Sequence, residues 1–214
     1  MRKLITSSLI LLSSTIFAQD QIAKETLERL NTTTRSYENL TINFEFNYKW
    51  GNLDNKKAMQ IDESFNGILI TKGDKFLLEI DNQIIINDGK TQWIYLADMN
   101  EVQIINNSPE DNMMNPNKLL ATYEEDYKYT YAGTVSEKGK RLQIINLFPK
   151  KSQEFIKITI AVDATRNQLE RVTAQDKNGA SHTYLIKSSK SNTIIKPFNF
   201  NIADFPDVEV IDLR

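Results

Sequence analysis

Residues able to do chemistry are scarce in this sequence. The chain has no cysteine and one histidine, His182. A thiolate nucleophile, a disulfide and a cysteine-based zinc or iron–sulfur site are therefore excluded, as is a metal site built on several histidines. His182 lies between Ser181 and Thr183 in a strand-like stretch. An imidazole beside a serine can act as a general base. The sequence holds no Gly-x-Ser-x-Gly elbow, however, and places no acid beside the pair, so the expectation is a strand histidine that faces solvent or makes one hydrogen bond. Gly89-Lys90-Thr91 has the look of the end of a phosphate-binding loop, but Ile84 stands where the first glycine belongs and the setting is a hairpin rather than a helix start, which predicts an ordinary turn. Glu124-Glu125-Asp126, Asp62-Glu63 and Glu110-Asp111 are adjacent carboxylates. A glycosidase pair must flank one bond, so these read as solvated faces. The expectation is a protein that is not an enzyme and has no catalytic residue, cofactor or metal.

The elements that position the remaining side chains begin after an export signal. Met1-Arg2-Lys3 is a positive start, Leu4 to Phe17 is mostly apolar, and Ala18 offers a small residue before Gln19-Asp20. This is the layout of a cleaved secretory signal over residues 1–18, too short for the roughly 20 apolar residues of a membrane span. Its removal takes away Arg2 and Lys3 and no acid, moving the net charge from −2 to −4. A pI of about 5.6 argues against a basic nucleic-acid binder. The remainder, 19–214, is long enough for one domain with a sizeable core.

Ala23, Leu27 and Leu30 share one face of a helix predicted over 20–35. From Leu40 to Trp50 apolar and polar residues alternate without a break, which specifies a long strand with one apolar and one wet face. Further strand patterns cover Ala58–Phe65, Ile68–Thr71, Lys75–Ile80, Gln83–Ile86, Gln92–Leu96 and Glu101–Ile105. After a loop at 106–118, Pro116 suits the start of a short helix carrying Leu119, Leu120 and Tyr123. Strand patterns resume at Tyr127–Tyr131, Arg141–Phe148, Phe155–Val162, Gln168–Ala174, Ser181–Lys187 and Asn192–Asn201, with Asp204–Arg214 as an extended closing segment. The expectation is a mainly β fold: about eleven strands in one strongly curved or partly closed antiparallel sheet, with two or three helices. Such a sheet either closes on a dry core or stays open around a ligand cavity. Met113 and Met114 either cap a core edge or offer adaptable apolar contacts to a ligand.

Segments distributed along almost the whole mature chain carry a family resemblance. Tyr37–Phe44, Gly67–Ile70, Lys75-Phe76, Asn87-Asp88-Gly89-Lys90-Thr91-Gln92-Trp93-Ile94-Tyr95, Phe198-Asn199-Phe200 and Phe205–Ile211 resemble, in order and spacing, the LolA family of periplasmic lipoprotein carriers. The resemblance implies an unclosed antiparallel β-barrel with helices as a lid over a hydrophobic cavity that holds lipoprotein acyl chains. It implies a monomer in the periplasm that serves outer-membrane biogenesis, with lipoproteins as cargo, an inner-membrane ABC transporter of the LolCDE type as donor and an outer-membrane acceptor as recipient. With the alternation it suggests Leu40, Ile42, Phe44, Phe46, Phe76, Leu78, Ile80, Trp93 and Tyr95 as cavity-facing. Leu27, Leu30, Met113, Met114, Leu119 and Leu120 would face them from the lid. Better-known members carry an arginine that holds the lid shut where this chain has Gly73, so the latch is absent or is made by other residues. The same fold could also serve another lipid or act as a lipid sensor.

Overall fold

The alternating run from Leu40 to Trp50 forms one continuous strand, β1 (Leu40–Trp50), near the middle of a 12-stranded sheet. The computed structural model describes residues 8–50, 61–107, 116–151 and 154–214, with side chains from Asp20 onward in the first helix and at Leu120 and from Thr122 onward in the second. Helix α1 (Ser8–Arg35) precedes β1. Strands β2 (Ile61–Lys72), β3 (Lys75–Ile80), β4 (Gln83–Asn87), β5 (Thr91–Leu96) and β6 (Glu101–Asn106) follow as an antiparallel meander. Helix α2 (Pro116–Asp126) leads into a second meander: β7 (Tyr127–Glu137), β8 (Lys140–Pro149), β9 (Phe155–Asp163), β10 (Gln168–Asp176) and β11 (Ser181–Ser191). Pairing of β1 with β11 joins the meanders. The last strand, β12 (Glu209–Asp212), returns to lie parallel to β6. The strand order places β12 and β7 at opposite edges, so the barrel is unclosed.

Two segments depart from the sequence expectation. Residues 61–72 form one strand rather than two, because Asn66 and Gly67 keep their ladder partners on β1. A Cβ at Gly67 would lie 2.8 Å from Phe44 Cε2 and 2.9 Å from the Glu79 carbonyl oxygen, and nearer still to Phe44 Cζ. The glycine lets the Phe44 ring lie flat across β2, which is a packing role and not a break. Asn192–Asn201 contributes no strand. Asn192 takes a left-handed φ of 55°, Pro197 lacks a donor, and the chain crosses the back of the sheet before a 3-10 turn at Ile202–Asp204. Helix α1 reaches back into the stretch assigned to the export signal. Among the described residues no helix is long and apolar enough to cross a membrane.

Register separates the two faces. The rows Phe76–Thr71–Leu40, Leu78–Leu69–Ile42 and Ile80–Gly67–Phe44 run across β3, β2 and β1 on one face. On that face the helices lie against β7 and β10. There Ala23, Leu27, Leu30, Leu120 and Tyr123 pack on Ile145, Leu147, Ile158, Ile160 and Val162 to form the larger core. We call this the inner face. Residues one step out of phase, including Ile70, Leu77, Ile86 and Trp93, occupy the outer face.

Candidate functional site

Leu40, Ile42, Phe44, Phe46, Phe76, Leu78 and Ile80 come together as one cluster on the inner face. Burying a large apolar side chain is worth roughly 1.5–3 kcal/mol, and leaving that wall exposed would cost as much. Leu69, Tyr37, Ile85, Tyr184 and Ile186 complete the cluster and were not singled out by sequence. The alternation His182, Tyr184, Ile186 was the signal for two of them. Phe44 and Phe46 meet the Tyr184 ring at centroid distances of 5.6 and 4.9 Å. Burial pushes the Tyr184 phenol up to about 12. Burial, reinforced by the neighbouring Glu124 carboxylate, does the same to Tyr123 on α2. Both phenols are neutral at physiological pH, so Tyr184 adds no charge to the apolar wall and Tyr123 none to the core beneath α1.

The two helices do not roof this wall squarely. Leu27 packs over the β8–β9 core. Among the described residues, Leu30 and Leu120 of the expected lid set reach Leu40 and Ile42, together with Leu169 and Ile186, around a cavity of about 30 Å³. That volume is about that of one water; ligand sites typically run to about 300–1,000 Å³. The seam between the helices and β1 is thus too small for an acyl chain. It is held by polar contacts at the helix end. Gln168 Nε2 donates to Tyr37 Oη at 3.2 Å, and the Glu38 amide donates to Asn192 Oδ1 at 2.8 Å. Thr26 Oγ1 lies 2.9 Å from Gln143 Oε1 on β8. Gly73 sits in the β2–β3 turn with φ of 57°. Beside it Lys72 Nζ reaches Glu38 Oε1 at 2.6 Å and holds that carboxylate below its usual range by hydrogen bonding and charge. An exposed pair of this kind is screened by solvent and adds little to stability.

Trp93 and Tyr95 are corrections. Both face outward, opposite Ile86 and Ile84, and pack with Phe198, Phe200, Ile195 and Phe205. The Tyr95 and Phe205 ring centroids are 4.4 Å apart, and Phe200 stacks on Phe205 at 4.5 Å. The β4–β5 turn shifts the phase: Gln92 and Ile94, not Trp93 and Tyr95, share the parity of Ile85. Met113, Met114 and the Leu119 side chain lie outside the described residues.

The remaining motifs resolve as structure. Asp88 Oδ1 accepts from the Lys90 and Thr91 amides, both at 2.8 Å, and Asn87 Oδ1 accepts from the Gly89 amide at 2.7 Å. The N–H groups that a phosphate would need are thus taken by the turn itself. Glu124 and Glu125 are exposed at the end of α2. The His182 side chain is half-buried, 21% exposed. It lies on the inner face opposite Tyr48 and Ala174, with the Tyr48 and Phe155 rings 5.1 and 5.3 Å away. Its Nε2 is buried 3.7 Å from Asp176 Oδ2, beyond hydrogen-bond reach, and has no hydrogen-bond partner among the described residues. Ser181 and Thr183 alternate to the other face. Among the described residues no group of His, Asp and Glu side chains could hold a metal.

A family model, outer membrane lipoprotein carrier protein LolA, matches residues 24–203. The uncharacterized protein MJ0687 of Methanocaldococcus jannaschii is 29% identical over 86 residues, covering 39% of this chain and 26% of that protein. The matched stretch thus spans about a quarter of that relative's length. An uncharacterized conserved protein from Thermus thermophilus superposes with a TM-score of 0.54 at 13% identity, covering 89% of this chain and 98% of that one, which shows a shared fold. A LolA superfamily protein from Nitrosomonas europaea, NE2245, gives a TM-score of 0.44 at 13% identity over 81% of this chain and 94% of that one.

Proposed function

The chain belongs to the LolA family, and on that premise we propose that it carries the acyl chains of lipoproteins through the periplasm from the inner to the outer membrane. The observation that supports this reading is the inner face itself. An apolar wall from β1, β2, β3 and β11 meets Leu30 and Leu120 at a seam that lies between two separately packed cores. Each buried methylene contributes about 0.8 kcal/mol, so a few long chains bind tightly without covalent chemistry. Loading requires α1 and α2 to move off β1, since a cavity of about 30 Å³ admits no acyl chain. Cargo then shifts the population toward an open state by its preference for that state. The latch is weak and distributed: Tyr37–Gln168, Glu38–Lys72 and Glu38–Asn192 take the place of the arginine found where Gly73 stands.

In this reading Leu40, Ile42, Phe44, Phe46, Phe76, Leu78 and Ile80 line the loaded chamber, and Leu30 and Leu120 open away from them. Residues 1–18 direct export, a transporter of the LolCDE type loads the carrier, and an outer-membrane acceptor empties it. The test is a calorimetric titration with one peptide in diacylated and unlipidated forms. Saturable binding of the lipidated form alone is expected. Equal affinity for both contradicts lipoprotein carriage. Binding of free lipids that the lipidated peptide does not compete away would assign the chamber to other cargo.

A further inference from the structure

The back of the sheet holds a groove of about 370 Å³, within the usual range for small-ligand sites and far larger than the closed seam beneath the helices. Its floor is one register row across four strands: Lys190 on β11, Thr41 on β1, Ile70 on β2 and Leu77 on β3. At about 4.8 Å per strand, the row is about 14 Å long. Its roof is the crossing segment, with Ile195 and Phe198 turned toward the sheet and Lys196 exposed.

The row has a direction. One end is cationic and the other is aliphatic, running on to the buried Phe198. The neighbouring cations Lys187 and Lys72 are neutralised by Glu45 and Glu38, whereas Lys190 and Lys196 make no ion pair among the described residues. Glu79, the one acid in the lining, stands on β3 beside Leu77, three strands from Lys190. It disfavours an anion at the aliphatic end and so fixes which way a ligand lies. A flat apolar patch would suit a protein partner. A roofed slot with a charge at one end suits a molecule of the same shape and polarity.

We propose that this groove is a second binding site, for a single-chain anionic amphiphile of the medium-chain fatty-acid class. Lys190 and Lys196 hold the head group, and the chain lies over Ile70 and Leu77 beneath Phe198. The site shares none of its lining with the inner chamber, so it stands or falls independently of what that chamber carries.

Decanoate tests it, titrated into full-length protein with isotope-labelled isoleucine methyls. The Ile70 and Ile195 methyl resonances shift in a saturable way, and decanol, which lacks the charge, produces the same shifts only at roughly tenfold higher concentration. In the surface variant Lys190→Gln/Lys196→Gln the apparent affinity for decanoate falls about tenfold, with the methyl spectrum of the free protein otherwise unchanged. Absence of shifts at Ile70 and Ile195 below the micellar concentration overturns the proposal, as does equal affinity in the double variant.

Discussion

The two faces of this sheet are both apolar, and they are covered in different ways. The outer face of β2 to β6 is covered by a strap of the chain that is pinned at both ends. Asn39 exchanges two 3.0 Å hydrogen bonds with the Thr193 backbone at one end. At the other, β12 pairs with β6 and Asn100 Nδ2 donates to the Pro206 carbonyl at 3.1 Å. Between the anchors Phe198 and Phe200 are buried. The inner face is covered by two helices that pack on β7–β10 and, among the described residues, meet the β1 wall along a seam that includes Leu30, Thr33, Thr34 and Leu120. A cover continuous with the sheet's own hydrogen bonding cannot lift without unfolding a strand. A cover that meets the wall along one seam can. The outer cover is thus the fixed one, and the inner cover is the one that can move.

The largest expected effect probes that difference from outside. Phe200→Ala removes a buried ring from the strap and should cost about 3–5 kcal/mol in chemical denaturation, while the affinity of the remaining folded protein for a lipidated peptide stays at the wild-type value. A loss of affinity larger than twofold would join the two faces into one system. Next comes Gly67→Ala, which drives a methyl into the Phe44 ring. It should cost about 1–3 kcal/mol and, unlike the strap variant, should also weaken peptide binding, because the displaced ring belongs to the inner wall. The smallest effect is that of Tyr37→Phe. It deletes the bond from Gln168 and should lower stability by only about 0.5–1.5 kcal/mol, yet stopped-flow mixing should show faster uptake of the lipidated peptide through a loosened seam.

The inner wall was legible wherever one face of a strand is apolar and the other polar. Leu40 to Phe46 and Phe76 to Ile80 fixed their own parity and share one cluster. Legibility failed where both faces are apolar. β4 reads Ile84-Ile85-Ile86 and β5 reads Trp93-Ile94-Tyr95, so alternation cannot choose a face and the larger rings misled. The Phe198-Asn199-Phe200 alternation is that of a strand, but the segment has no partner strand and packs its rings on the back of the sheet. Local periodicity specifies which side chains point together, not what covers them. The cavity seam joins α1, α2, β1, β10 and β11, a long-range meeting that no single segment encodes.

The absence of cysteine makes movement of the helices directly measurable, since two introduced cysteines can be spin-labelled without background. Glu28 on α1, Asn66 on β2 and Ala203 on the strap are all exposed. Distances by double electron–electron resonance should be recorded for the 28–66 and 203–66 pairs, with and without a diacylated peptide. Cargo is expected to lengthen the 28–66 distance and to leave 203–66 unchanged. An unchanged 28–66 distance at saturating cargo, or movement of the strap instead, would contradict this expectation.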